Sequence, residues 1–193
     1  MQSKSDRYPN GMRNDSGELG HNLMDHHFQV GAQGSMEGFE DKYFTGRRPN
    51  GIYVPRFRNI GGSTNQKDFI RGYGYQGGGG RGGWSSKVAE LGYGSEFKEA
   101  ITQPGDWSLG MTGFGEVLPY HENKMVLDFE KLDEWGLPTV TFDAGIKENE
   151  FNMRKDMAQQ AAEMLEEAGA KNIRTYDSEY ILGNGIHEMG TAR

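Results

Sequence analysis

The chain has 193 residues, of which 30 are glycine and none is cysteine, and its formal net charge is -7 at pH 7. The length suits one domain or two small ones, and the absence of cysteine excludes disulfide bonds, thiol nucleophiles and cysteine-ligated metals. Most of the acidic excess lies in the second half, which argues against a general nucleic-acid partner because phosphates require clustered positive charge. With 10 Phe, 9 Tyr and 3 Trp available for burial, we expect a folded, loop-rich protein with an aromatic core.

The first predicted elements along the chain are a loop and three strands. Residues 1–20 are polar without a clear period and are predicted to be loop, whereas 26–32 alternate weakly, as a half-buried strand does. Residues 51–59 alternate more clearly, and with 68–73 they flank a turn-rich loop, which predicts an antiparallel hairpin. Pro55 is expected at a sheet edge or a bulge because proline cannot donate to a ladder.

The glycine-rich stretch 72–83 is predicted to be a loop, because glycine loses more backbone freedom on folding than any other residue. Its G-x-G-x-x-G match at 72–77 suggests dinucleotide binding only where a strand precedes it and a helix follows, and no helix is predicted there. Arg71 and Arg81 beside tyrosines resemble an RGG-type RNA segment. Two arginines form too small a basic patch, so an ordinary glycine-rich loop is the favoured interpretation.

The second half is predicted to contain two helices and three strands. A short helix is expected within 87–100, strands at 123–129 and 138–143, a long helix at 149–168 and a last strand at 173–181. The long helix is the strongest prediction because apolar side chains recur at three- and four-residue spacing: Met157, Ala161, Met164, Leu165 and Ala168. This order predicts an α+β fold, in which an antiparallel β-sheet carries the long helix packed on one face.

Histidines are the candidate reactive side chains. His21, Asp25 and His26 lie close together, but their spacing fits no familiar ligand set and no metal site is predicted. We expect His21 to make structural polar contacts, and either His26 or its neighbour to face a site. His187 lies just before a glycine–threonine pair that suits a tight turn, and histidine is the side chain best able to accept a proton near neutral pH. The alternative is that His187 is a plain surface-loop residue.

Two segments carry recognisable motifs. Residues 187–193 read His-Glu-Met-Gly-Thr-Ala-Arg, and residues 17–26 read Gly-Glu-Leu-Gly-His-Asn-Leu-Met-Asp-His. They resemble the H-x-x-G-T-x-R and G-x-x-G-x-N-L-x-D-H segments of the glucose–methanol–choline (GMC) oxidoreductases, which are FAD-dependent. Between them, 118–123 and 133–138 are similar to the bacterial branch related to gluconate and glycoside dehydrogenases.

The resemblance implies a substrate-binding domain of a two-domain flavoenzyme that oxidises a CH–OH group of an alcohol, sugar or sugar acid. His187 would take the hydroxyl proton as general base, and flavin would accept the hydride. The other implied site residues bind substrate (His26, His27 and Glu188) or the cofactor (Asn22 and Thr191). FAD is the expected cofactor, with most of its site outside this chain. The expected partners are a small-molecule polyol, sugar or alcohol as substrate and an electron-acceptor protein.

The same resemblance implies a division of the chain. Residues 1–25 would join a flavin domain, 26–182 would form the substrate-binding domain and 183–193 would begin the catalytic-histidine segment. We therefore expect an internal portion of a larger enzyme that neither holds FAD tightly nor turns over alone. The sequence contains no apolar run of membrane-spanning length and no signal-peptide pattern, so it is predicted to be soluble, with its compartment left open. The alternative function is a non-catalytic antiparallel-sheet module that binds a glycan or a protein.

Overall fold

Strands dominate the computed structural model, which describes residues 1–12, 14–42, 51–83, 92–178 and 181–192. The elements in the described part are, in chain order, β1 (His26–Met36), β2 (Gly51–Val54), β3 (Tyr73–Arg81), α1 (Gly94–Thr102), β4 (Trp107–Glu116), β5 (Lys124–Leu132), β6 (Pro138–Asp143), α2 (Glu148–Glu167) and β7 (Lys171–Asp177). A single 3-10 turn, Gly62–Thr64, lies between β2 and β3.

Five of the strands form one antiparallel sheet in the order β2-β3-β4-β1-β7, and β5 pairs with β6 in a separate two-stranded sheet. Helix α2 packs across β1, β4 and β7 on one face of the large sheet. The predicted α+β fold with a long helix on one face of an antiparallel sheet is therefore confirmed. No helix in the described residues has both the length and the apolar character that crossing a bilayer requires.

The core lies between α2 and the large sheet. Its fully buried side chains come from the helix, from β1 and from β3, where Tyr73 and Tyr75 are flanked by Phe57 and Phe69. The Tyr75 hydroxyl donates a hydrogen bond to the Met157 carbonyl oxygen at 2.6 Å, so the polar end of a buried ring is satisfied by the helix that covers it. The expected aromatic core is present on this face.

The prediction that 72–83 is a loop is wrong, because most of it is β3, the neighbour of β4 near the centre of the large sheet. Glycine fits there because the adjacent backbone comes very close. A Cβ atom on Gly77 would overlap with the carbonyl oxygen of Gly110 on β4. The G-x-G-x-x-G match therefore lies inside a sheet and has no helix start after it.

Strand β4, which pairs with both β1 and β3, was not predicted. Its inward-facing positions include Gly113 and Gly115, so the apolar alternation that marks a strand is diluted. Both glycines are required by their neighbours: a Cβ on Gly113 would overlap with Met157, and one on Gly115 would overlap with the His27 ring. The helix and the buried histidine occupy the space that side chains would fill.

The other differences concern boundaries. The first strand of the predicted hairpin ends at Val54, immediately before Pro55, and its partner begins at Tyr73, so 68–73 is not the second strand. Strand β7 ends at Asp177, before the predicted 181. The predicted short helix within 87–100 lies partly outside the described residues; α1 begins at Gly94.

Candidate functional site

Two consecutive histidines of β1 lie on opposite faces of the large sheet. His26 lies opposite Glu116 of β4, and His27 lies opposite Gly115. Because successive side chains of a strand point to opposite faces, His27 enters the core under α2 while His26 faces the side that the helix leaves open. Phe114 is on the open side as well.

A cavity of about 440 Å³ lies on this open face. Its floor includes His26, Phe114 and Glu116 from the sheet, and its walls include Arg56 after β2 and His187 from the C-terminal loop. The volume falls within the range of small-molecule sites. A second cavity of about 180 Å³ shares His26, Glu116 and His187 with the first, so these three residues border both spaces.

The two predicted histidines of the open face are in contact. The ring centroids of His26 and His187 are 4.8 Å apart with an interplanar angle of 82°, an edge-to-face arrangement. The Nδ1 atom of His26 lies 3.3 Å from the carbonyl oxygen of Gly115. His187 is exposed on the cavity wall. The structure thus brings together the predicted base and one of the predicted substrate-binding residues.

The Asp25 carboxylate, only 5% exposed, fixes the loop that carries His187. Its oxygens accept hydrogen bonds from backbone N–H groups of Gly183 at 3.0 Å, Gly185 at 2.9 Å and His187 at 3.4 Å. It also accepts the His26 N–H at 2.7 Å. Any side chain on Gly185 would overlap with this carboxylate. The sequence singled out Asp25 only as a rejected metal ligand, so this role was missed.

The two motif segments at the ends of the sequence are neighbours in space. Met24 and Met189 form a β-bridge with N–H to carbonyl oxygen distances of 2.8 and 3.0 Å. The Gly20 N–H donates to the Thr191 carbonyl oxygen at 2.8 Å. Gly190 passes so close to the Asn22 carbonyl that a Cβ would overlap with it. Asn22 and Thr191, the predicted cofactor contacts, therefore lie on two neighbouring backbone segments that are joined by hydrogen bonds.

His27 does not belong to the cavity. Its side chain is completely buried, and burial, together with the nearby Arg154 charge, lowers the pKa of the imidazole from 6.5 to about 3. Neither ring nitrogen has a hydrogen-bond partner among the described residues. A ligand on the open face cannot reach this ring because it points into the opposite face, so a substrate-binding role for His27 is not retained.

Glu188, another predicted substrate contact, is exposed and lines neither cavity. The carboxylate that does line both cavities is that of Glu116, which the sequence analysis did not single out. Arg56 Nη1 donates to Glu116 Oε1 at 2.9 Å. No local pattern marks this pair, because strand register and the loop after β2 bring its members together from positions 60 residues apart.

His21 makes the structural polar contact that was expected. Its Nδ1 lies 2.7 Å from the His121 carbonyl oxygen, and the two imidazoles stack with centroids 4.0 Å apart. His121 Nε2 lies 3.5 Å from Glu18 Oε1. In the described part of the chain, no group of three or more histidine, aspartate and glutamate side chains is arranged to hold a metal ion.

Comparison with known proteins gives no family assignment. No protein-family model matches the chain, and no curated protein matches it. The resemblance of its two motif segments to the GMC oxidoreductases stays a hypothesis, and the geometry around His187 carries the functional argument.

Proposed function

We propose that the chain is the substrate domain of an FAD-dependent oxidoreductase that oxidises a CH–OH group of an alcohol, sugar or sugar acid. The observation that carries the proposal is the position of His187, which borders the larger cavity beside His26. The motif resemblance supplies the reaction class. The alternative assignment of His187 to a plain surface loop does not account for its place between two cavities.

In this proposal the imidazole of His187 accepts the proton of the substrate hydroxyl. A base must hold a fixed geometry to do this efficiently, and Asp25 supplies it through the backbone N–H groups on both sides of Ile186. The His26 ring packs edge-on against the base and limits its rotation. The flavin, when bound, supplies the chemistry of hydride acceptance.

The described residues do not form a dinucleotide-binding site by themselves. Such a site needs a glycine-rich turn that leads from a strand into a helix N-terminus, and here all but the first residue of the G-x-G-x-x-G match lies within β3. We therefore propose that residues outside the described ones hold the dinucleotide. Asn22 and Thr191 remain the proposed contacts of this chain with the cofactor.

The test is flavin reduction in the intact flavin-loaded enzyme that is proposed to contain this chain, measured by rapid mixing with excess alcohol or sugar. We expect His187→Ala to retain flavin and to slow reduction by about 10²- to 10⁴-fold, the usual contribution of a general base. His121→Ala is the matched control, because this histidine is exposed and lines neither cavity, and its rate should equal that of the wild type. Reduction of the His187→Ala protein at the wild-type rate would refute the role of His187.

A second candidate, a non-catalytic module that binds a protein, is favoured by one observation. The two-stranded sheet and its turn expose large apolar side chains, among them Phe129 at 61%, Trp135 at 76% and Phe142 at 62%. Exposed apolar surface of this kind marks interaction sites. If the intact protein that contains this chain never acquires flavin and His187→Ala changes none of its binding properties, this module is the better assignment.

A further inference from the structure

One carboxylate in the cavity has no part in proton transfer. Glu116 lies opposite His26 in the β1–β4 register, borders both cavities and has a side chain 42% exposed. Its Oε1 accepts a hydrogen bond from Arg56. No described residue donates a hydrogen bond to its Oε2. One oxygen is therefore anchored, and the other remains available to a ligand.

Arg56 holds this carboxylate and is itself held. Its Nε donates to the Arg58 carbonyl oxygen at 3.0 Å, and its Nη2 donates to the Asn59 carbonyl oxygen at 2.8 Å. Together with Nη1 on Glu116, each guanidinium nitrogen already makes one hydrogen bond within the protein. Three of its five N–H groups are thus used within the protein, and its charge is already paired with Glu116, so Arg56 is better suited to orient Glu116 than to bind a substrate carboxylate.

The charge balance of the two cavities points the same way. Among the described residues that line them, the charged side chains are Asp25, Glu116 and Arg56. In the larger cavity Glu116 faces Arg56, whereas Asp25 lines only the smaller cavity. A substrate carboxylate placed beside Glu116 Oε2 would meet a like charge in a partly water-excluded setting, which strengthens the repulsion.

We propose that Glu116 determines substrate specificity by selecting a neutral molecule with two neighbouring hydroxyl groups. One hydroxyl gives its proton to His187, and the adjacent one donates a hydrogen bond to Glu116 Oε2. Rings of Tyr53 and Phe114 in the same cavity offer apolar surface to the C–H groups between the hydroxyls. The inference rests on the proposed function and narrows it: sugar acids and simple alcohols become poor ligands, and neutral polyols become good ones.

The test compares D-sorbitol, D-gluconate and 1-butanol as ligands of the full chain. Sorbitol and gluconate have the same carbon chain, but gluconate carries a carboxylate, and butanol lacks a neighbouring hydroxyl. Binding is followed by the imidazole NMR signals of His26 and His187. We expect sorbitol to bind about tenfold or more tightly than either other ligand, since a hydrogen bond to a charged acceptor contributes that much.

Two substitutions distinguish the effect of the Glu116 charge from the effect of its side-chain length. Glu116→Gln, which can still accept from Arg56, should weaken sorbitol binding about tenfold and bring the sorbitol-to-gluconate ratio towards unity. Glu116→Asp keeps the negative charge, but its shorter side chain moves the carboxylate away from the ligand. It should therefore weaken sorbitol binding, while gluconate binding stays weak. Glu130→Gln, an exposed change on β5, is the matched control and should bind as the wild type does.

Two results would overturn the inference in distinguishable ways. If gluconate binds as tightly as sorbitol, or if Glu116→Gln leaves their ratio unchanged, Glu116 does not set specificity, while the proposed function stands. If none of the three ligands shifts the signals of His26 and His187, the cavity is not a hydroxyl-substrate site, and the proposed function fails together with the inference.

Discussion

The two faces of the five-stranded sheet place the same residue type in opposite circumstances. His26 and His27 are adjacent in β1, yet one borders a cavity and touches His187 while the other is sealed beneath α2. The helix-covered face excludes water and suppresses the charge of its histidine. The open face keeps its histidines where a hydroxyl group can reach them.

This difference shows that the covering helix, more than the strand itself, determines whether a side chain of the sheet is buried or accessible to a ligand. On the covered face Met153, Met157 and Tyr75 are fully buried and fill space around the inward-facing glycines of β4. On the open face Tyr53 is 69% exposed, and Glu116 keeps one oxygen without a partner in the described structure. One face supplies stability, and the other keeps polar atoms accessible.

The largest expected effect is on the covered face. Met157→Ala should lower the free energy of unfolding by about 2–5 kcal/mol, because it removes a fully buried side chain and leaves a cavity beside Gly113. Tyr53→Ala on the open face should change it by only about 0.5 kcal/mol. Urea unfolding followed by circular dichroism measures both values. Similar losses of unfolding free energy for the two variants would contradict the inference that the covered face provides most of the stability.

A smaller effect depends on pH. The unfolded chain protonates His27 near pH 6.5, but the folded chain does so only near pH 3, because burial lowers the pKa of this imidazole. Between these values the unfolded state binds the extra proton, so stability falls as pH falls, by about 1.4 kcal/mol per pH unit. Above pH 6.5 His27 contributes no pH dependence. The wild type should therefore lose about 2–3 kcal/mol from this residue by about pH 4.5.

Replacement of His27 isolates this contribution. His27→Leu should remove that part of the acid-side loss, so the difference in unfolding free energy between the variant and the wild type should move in favour of the variant as pH falls. Met153→Leu changes a buried neighbour that does not titrate, and it should keep the full pH dependence. Parallel curves for wild type and His27→Leu would show that the buried imidazole is not the cause.

The smallest expected effect is local and sharpens the description of the open face. Asp25→Asn should weaken the hydrogen bonds that hold the loop before His187, since backbone donors bind a charged acceptor more strongly. We expect amide hydrogen exchange at Gly183 and Gly185 to rise about tenfold while global stability changes little. Asp143→Asn, at an exposed position on β6, is the control. Unchanged exchange at the two glycines would show that other contacts fix the loop.

How far the sequence predicted the fold depended on how each element is encoded. Helix α2 was predictable because its buried residues Met157, Ala161 and Leu165 repeat at helical spacing on one face. Strands β5 and β6 were predicted at 123–129 and 138–143, on either side of a turn-like segment at 133–136. Strands β3 and β4 were not, because their inward or closely approached positions are glycines. The facing backbone, the helix and His27 dictate those glycines, and this information is absent from a local window.

The same limit applied to the candidate site. His187 and His26 could be nominated from their residue type and motif, and the structure places them in contact. Arg56 and Glu116 could not, because an arginine or glutamate at a strand end is ordinary until strand pairing brings the two together. His27 was nominated with its neighbour because the sequence does not reveal which face the helix covers.

The bridge between Met24 and Met189 has a consequence for the order in which the molecule assembles. It joins segments separated by nearly the whole described sequence, and closing so long a loop is costly until the intervening sheet has formed. We therefore expect the contact between Met24 and Met189 to form after the sheet and its helix, and refolding followed by hydrogen exchange should protect these two amides last.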